Sequence, residues 1–186
     1  MNGINNTPDE ARESALRISN FANNGQVLGV CNPTNGVPFD LYDCQRGRSG
    51  KLIPAAHLLQ QEFLNFHATR PLEEKMLVIC HSGGGILTYN ALQNSSFDVQ
   101  QRIIVCAINA AAIIPRDLCF DSTNYMSNRD FVTCLSNNYN QHKDQVKIVQ
   151  AHPTAGWWDH GFGSPTWDDV LEHDIGEYIV NHGENR

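Results

Sequence analysis

Residues 75–92 read K-M-L-V-I-C-H-S-G-G-G-I-L-T-Y-N-A-L and contain the clearest change of pattern in the sequence. This stretch begins as an unbroken apolar run, which is typical of a strand covered on both faces of a sheet. It then breaks at Ser82 and the glycines that follow, and it continues with the spacing of a helix. A strand that turns directly into a helix needs a tight bend, and the residue at its tip adopts sparsely populated backbone angles.

The rest of the chain alternates between helical and strand-like segments. The apolar spacing predicts helices at 8–24, 51–69, 83–93 and 168–182, and strands at 26–32, 75–81, 102–110 and 146–152. This alternation predicts an α/β fold in which a mostly parallel sheet is flanked by helices on both faces. Ligands bind beyond the carboxyl ends of the strands in such sheets, so we expect the loops there to hold the site.

The length, charge and cysteine content of the chain restrict the classes of protein to which it could belong. A chain of 186 residues fits one domain, 1–186, and its net charge of -7 argues against a nucleic acid or an anionic membrane as partner. No apolar run is long enough for a membrane span, and no secretory signal opens the sequence. With six cysteines and no C-x-x-C pair, we expect reduced thiols and a cytoplasmic protein. The opening residues 1–4 resemble the end of an element, so we expect a first strand to be missing or the chain to be cut from a longer protein.

The bend at Ser82 follows the nucleophile-elbow pattern G-x-S-x-G, with Cys80 in place of the first glycine. Small neighbours allow the new helix to pack closely on the strand, and Gly83, Gly84 and Gly85 supply them. The pattern predicts that Ser82 is a nucleophile. The alternative is a glycine-rich turn in which the serine only caps a helix.

A nucleophilic serine needs a histidine base, and the histidine needs an acid that fixes its tautomer. On this fold the acid follows the serine in the chain, and the histidine comes last. Asp117, Asp121 and Asp130 are the candidate acids. We predict Asp130, because it follows a short extended piece and precedes an apolar run, and Asp121 is the runner-up.

The base should lie in the loop after the last strand, which contains His152 and His160. His152 is next to Pro153 and close to the strand end, so it suits a turn. His160 lies in a long glycine-rich loop flanked by aromatic residues, and we predict that it is the base. Trp157, Trp158, Phe162 and Trp167 surround it in the sequence and line either an apolar acyl groove or the core.

An acyl-transfer site also needs N–H donors for the oxyanion. The backbone N–H groups of Gly83 and Ile4 are the candidates, because Gly83 follows the nucleophile and Ile4 lies in the loop after an early strand if Met1 ends that strand. The alternative for Ile4 is a plain turn into the helix that Thr7 caps. Only the short segment 110–128 is available as a lid, so we expect a fairly open site and a short or exposed acyl group.

Other chemistries find less support in the sequence. A cysteine phosphatase built on Cys80 would need an arginine at the position of Ile86 to hold the phosphate. No G-K-[ST] follows the glycines and no H-E-x-x-H pair is present, so neither a nucleotide, a metal nor another cofactor is predicted.

Three stretches carry a resemblance to a known family: N-G-I-N-N-T at 2–7, I-C-H-S-G-G at 79–84 and D-H-G-F-G-S-P-T at 159–166. Across essentially its whole length, the chain resembles a family of uncharacterised chlamydial proteins that is itself similar to the α/β-hydrolase superfamily. The resemblance implies a compact α/β-hydrolase-like fold with little or no cap domain. It also implies a serine esterase, lipase or thioesterase with Ser82 as nucleophile, Asp130 as acid and His160 as base. The resemblance names no substrate, and we expect a small-molecule or lipid-like acyl substrate. The alternative is a catalytically silent binding or effector module on the same fold.

Overall fold

The computed structural model of the chain describes residues 7–30 and 53–182. Within these residues, a four-stranded sheet forms with its strands side by side in chain order, and every neighbouring pair is parallel. The strands are β1 (Met76–His81), β2 (Ile103–Ile108), β3 (Asp121–Ser127) and β4 (Val146–Val149). Their carboxyl ends therefore meet at one edge of the sheet, and the predicted α/β fold with a parallel sheet is confirmed.

The longer helices lie where the apolar spacing predicts them. They are α1 (Pro8–Phe21), α2 (Pro54–Thr69), α3 (Gly83–Gln93) and α6 (Asp168–His182), with the short helices α4 (Phe97–Gln100) and α5 (Tyr139–His142) between them. Short 3₁₀ turns span Arg116–Leu118, Thr133–Leu135, Lys143–Gln145 and Pro165–Trp167. At the start of α1, Thr7 Oγ1 accepts the Glu10 N–H at 3.2 Å, and the Glu10 carboxylate accepts the Thr7 N–H at 2.7 Å. This capping box satisfies two backbone donors and fixes where the helix begins.

Two hydrophobic cores lie on opposite faces of the sheet, because alternate strand residues point to opposite sides. One core joins β1 and β2 to α2 and α3 and includes Val78, Val105, Leu59, Phe63 and Leu87. The other joins β1, β2 and β3 to α6 and includes Ile79, Cys106, Tyr125, Leu171 and Ile175, with Ile18 and Phe21 of α1 packed against it. Both faces of the sheet are thus covered by helices.

Two predicted elements differ from the observed ones. The strand predicted at 26–32 is wrong for its described part, because residues 26–30 form no strand and take no place in the four-stranded sheet. The segment 110–128 is not a lid, because residues 110–114 are buried and Asp121–Ser127 forms β3 inside the sheet.

Further predictions concern cysteines, membrane spans and residues outside the described ranges. Cys80, Cys106 and Cys119 are buried and free, as expected of small apolar residues. In the part of the chain that the structure describes, no helix combines the length and apolarity that crossing a bilayer requires. Ile4 and the remaining part of the predicted strand 26–32 lie outside the described residues.

Candidate active site

The bend between β1 and α3 has the predicted form. Ser82 has φ 53° and ψ -129°, a conformation that non-glycine residues rarely adopt, between the end of β1 at His81 and the start of α3 at Gly83. The Ser82 carbonyl accepts backbone N–H groups from Gly85 at 3.0 Å and Ala111 at 2.8 Å. These bonds hold the strained residue in place and tie the loop after β2 to the bend.

Close packing explains why glycine is needed in the first turn of α3. A Cβ atom placed on Gly85 would lie 2.6 Å from Ala110 Cβ and 3.2 Å from the Ala112 carbonyl oxygen. The helix could not then approach the loop after β2 so closely. Cys80, which replaces the first glycine of the pattern, is fully buried, and burial raises the pKa of its thiol to about 11. The thiol is therefore protonated at neutral pH and is unsuited to act as a nucleophile.

His160 lies beside Ser82 at the carboxyl edge of the sheet. Its Nε2 atom is 3.0 Å from Ser82 Oγ, and its Nδ1 atom is 2.6 Å from Asp130 Oδ2. An ionised carboxylate can only accept, so Nδ1 carries the proton and the lone pair of Nε2 is directed at the Ser82 hydroxyl. This tautomer is the one a general base for Ser82 requires.

Asp130 comes from the loop after β3 and is enclosed by donors. Its side chain is fully buried, and Oδ1 accepts the Val132 N–H at 2.9 Å and the Trp158 indole N–H at 3.3 Å. Burial by itself would raise the pKa of Asp130, but hydrogen bonds from His160, Val132 and Trp158 and the His160 charge lower it overall. Asp130 is therefore an anion at neutral pH and can orient the imidazole.

The competing candidates lie elsewhere. Asp121 is the first residue of β3, so it lies at the amino edge of the sheet, where its carboxylate accepts the Ser122 N–H at 2.8 Å. Asp117 lies in the exposed 3₁₀ turn before β3. His152 is exposed, and its Nδ1 atom is 2.8 Å from Thr154 Oγ1. The structure brings together Ser82, Asp130 and His160 and none of these alternatives.

The site is more enclosed at the nucleophile than the sequence predicts. Ser82 is 8% exposed, whereas the His160 side chain is 20% exposed. Gly83 is the first residue of α3, where backbone N–H groups have no partner within the helix. Ile4, the second candidate donor for the oxyanion, lies outside the described residues.

The aromatic residues around His160 divide into two groups. The Trp158 ring stacks on the His160 ring with centroids 5.3 Å apart, and Trp157 beside it is 89% exposed. Phe162 is half-buried against the core of α6 and lies 5.9 Å from the His81 ring, and Trp167 is fully buried. Of these four residues, Trp157 and Trp158 expose large apolar surface next to the site, as does Phe131, which is 57% exposed and stacks on Trp158.

Three polar residues that the sequence analysis did not select contact the loop that carries His160. His81 Nε2 lies 2.7 Å from the His160 carbonyl oxygen, and Asn109 Nδ2 lies 2.8 Å from the carbonyl oxygen of Asp159. The third residue is Ser127, whose hydroxyl donates to the buried Asp159 carboxylate at 2.7 Å. Polar residues at the carboxyl end of an apolar strand run are the signal that could have selected two of them, namely His81 at the end of β1 and Asn109 directly after β2.

Comparisons of the chain with protein-family models, with curated proteins and with solved structures found no match. The resemblance to α/β-hydrolases therefore stays a prediction, and the functional conclusion depends on the site itself.

Proposed function

We propose that the protein is a serine hydrolase that cleaves an ester or thioester through an acyl-enzyme. One observation carries the proposal: His160 bridges Ser82 Oγ and Asp130 Oδ2 at 3.0 and 2.6 Å. A hydroxyl, an imidazole and a buried carboxylate in this order form the arrangement that turns serine into a nucleophile.

Acylation begins when Ser82 Oγ attacks the substrate carbonyl carbon while its proton passes to His160 Nε2. Asp130 stabilises the imidazolium that forms and keeps its Nδ1–H in place. The tetrahedral intermediate collapses, and the proton on Nε2 passes to the departing alcohol or thiol. The acyl group is then bonded to Ser82 Oγ.

Deacylation repeats these steps with water. His160 Nε2 takes a proton from the water, whose oxygen attacks the acyl carbon, and the same proton returns to Ser82 Oγ as the ester bond breaks. The net reaction consumes one ester and one water and releases an acid and an alcohol, or consumes one thioester and one water and releases an acid and a thiol.

The oxyanion of both intermediates needs backbone donors. The Gly83 N–H is suited to this role, because it directly follows the nucleophile and lies at the start of α3, where the helix dipole is positive. Ile4 remains our prediction for the second donor.

The surface beside the triad favours an apolar acyl group. Trp158 stacks on His160 and also on Phe131, whose ring centroid lies 6.1 Å from that of Trp158. Trp157 lies next to Trp158. Such flat rings can cover an acyl chain beside the reacting carbonyl. We therefore propose a lipid-like or otherwise apolar acyl substrate for the hydrolase.

Hydrolysis of p-nitrophenyl acetate by matched serine variants tests the proposal. Ser82→Ala removes the nucleophile, so we expect turnover to fall by about 10⁴ or more. Ser96→Ala is the control, because Ser96 also precedes a helix and its side chain makes no capping bond. Equal turnover by Ser82→Ala and the wild type, or no turnover by folded wild-type protein, would contradict the proposal and favour a silent binding module.

A further inference from the structure

Two side chains from neighbouring strand ends hold the backbone carbonyl of His160. His81 Nε2 lies 2.7 Å from that oxygen and Asn109 Nδ2 lies 3.3 Å from it, while the same Asn109 amide is 2.8 Å from the carbonyl oxygen of Asp159. A carbonyl oxygen only accepts, so His81 and Asn109 donate N–H groups to it. We propose that His81 and Asn109 are positioning residues that fix the His160 peptide and so set the reach of its imidazole to Ser82. This role rests on the proposed function.

The protonation of His81 suits a fixed donor. Because Nε2 carries the proton, Nδ1 has a lone pair, and this atom is buried with no hydrogen-bond partner among the described residues. Burial and the nearby His160 lower the pKa of His81 to about 4, so the ring is neutral at neutral pH. The two rings are 4.9 Å apart, and a neutral His81 adds no positive charge beside the imidazolium that forms on His160.

Asn109 has a single orientation available to its amide. It is fully buried, and its Oδ1 atom accepts the Ser127 N–H at 2.9 Å, so Nδ2 is directed at the His160 loop. Its φ is 42°, which is uncommon for a residue other than glycine and more readily adopted by asparagine. The Asn109 side chain thus links the ends of β2 and β3 to the loop that carries His160. Asn109 keeps its unfavourable φ angle at this point.

The chain order explains why these contacts bear on catalysis. His81 directly precedes Ser82, so one strand end carries both the nucleophile and a donor to the backbone of its base. A shift of the His160 peptide would change the distance between Nε2 and Ser82 Oγ directly. A displacement of about 1 Å in such a geometry can lower the rate about 100-fold.

Three variants separate the donor from the bulk of the side chain. His81→Leu has a similar size and no N–H, His81→Gln retains an N–H at a similar reach, and Asn109→Gly keeps the left-handed backbone without the amide. With p-nitrophenyl acetate as substrate, we expect His81→Leu and Asn109→Gly to lower kcat by about ten- to a hundredfold with KM unchanged. We expect His81→Gln to recover most of the rate.

An NMR measurement on the same variants gives a readout that does not depend on turnover. The His160 Nδ1–H proton, bonded to Asp130, should give a sharp downfield signal in the wild type and in His81→Gln. The signal should broaden or vanish in His81→Leu and Asn109→Gly. If wild-type protein hydrolyses nothing while this NMR pattern holds, the proposed function fails and the positioning role stands.

Two outcomes would overturn the positioning role. In the first, His81→Leu and Asn109→Gly retain the kcat and the downfield signal of the wild type. In the second, His81→Gln is as slow as His81→Leu and both variants lose folded protein in proportion to the lost rate. The second result would mean that His81 only supports the fold.

Discussion

At the scale of single residues, the position of one proton on His160 decides what Ser82 can do. The Asp130 carboxylate accepts from Nδ1 at 2.6 Å, which leaves Nε2 free to accept the Ser82 proton at 3.0 Å. A neutral group in place of Asp130 could donate to Nδ1 and place the imidazole proton on Nε2 instead. The base would then have no lone pair for the hydroxyl.

Asp130→Asn tests this dependence on the tautomer. The amide keeps an oxygen for the Val132 N–H but presents N–H to His160, so we expect kcat/KM for p-nitrophenyl acetate to fall by about 10³–10⁴. Asp121→Asn is the control, since Asp121 lies at the other edge of the sheet, and its turnover should equal that of the wild type. Equal losses in the two variants would show that Asp130 is not the acid.

At the scale of elements, the bend at Ser82 requires α3 to lie close to the loop after β2. The Ser82 carbonyl binds the Ala111 N–H, and Gly85 allows the approach because a side chain there would collide with Ala110. The backbone angles of Ser82 therefore depend on a contact between α3 and residues more than twenty positions further along the chain.

Gly85→Ala should destabilise the protein and disturb the bend. Its Cβ would lie 2.6 Å from Ala110 Cβ, so we expect a loss of about 1–3 kcal/mol in the free energy of unfolding and a lower kcat. Gly176→Ala in α6 is the matched control, because a Cβ there meets no described atom within 4 Å. Alanine favours a helix over glycine, so this variant should gain up to about 1 kcal/mol. Urea denaturation measures both, and a stable Gly85→Ala with wild-type kcat would contradict the packing argument.

The bend at Ser82 and strand β3 differ in how clearly the sequence predicts them. The bend at Ser82 could be predicted because an apolar run and its glycines are adjacent in the chain. The sequence of strand β3 predicts only a short extended piece, because the buried positions of the strand include Ser122 and Asn124. Their polar groups bond to the backbone of Ile114 at 2.8 Å, so the strand does not need the apolar run by which buried strands are recognised.

The sequence predicts the three triad candidates but not the contacts between residues that are far apart in the chain. Asp130 and His160 could be predicted because the order of serine, acid and histidine restricts them to particular loops. The contacts of His81 and Asn109 with the His160 carbonyl join residues 79 and 51 positions apart. Such contacts depend on the folded path of the loop, which local spacing does not contain.

At the scale of the whole molecule, the first and last helices are joined around the loop that carries His160. The Arg17 guanidinium of α1 donates to the Ser164 carbonyl oxygen at 2.9 Å and to Asp168 of α6 at 2.7 Å. It also donates to the Phe162 carbonyl oxygen. The position of the His160 loop therefore depends on contacts with both ends of the described chain, so it should depend on the stability of the whole fold.

Because His81 is buried and neutral, we expect the free energy of unfolding to fall in acid. Burial lowers its folded pKa to about 4, below the ordinary value of 6.5, so the unfolded chain binds more protons between these pH values. Stability from this group is complete above pH 6.5 and is lost as the pH falls towards 4, by roughly 3 kcal/mol in total. Urea denaturation between pH 7 and 4 should therefore show a steeper fall for the wild type than for His81→Gln. Parallel curves would contradict the assignment of His81 as a buried neutral group.

Mapping the adduct of a fluorophosphonate probe by peptide mass spectrometry tests the central claim most directly. The probe reacts with a serine only where a base has activated its hydroxyl. We predict a single adduct on Ser82 in folded wild-type protein and no adduct in Ser82→Ala or after unfolding in urea. Folded wild-type protein that stays unmodified, or an adduct on another residue, would contradict the claim that His160 activates Ser82.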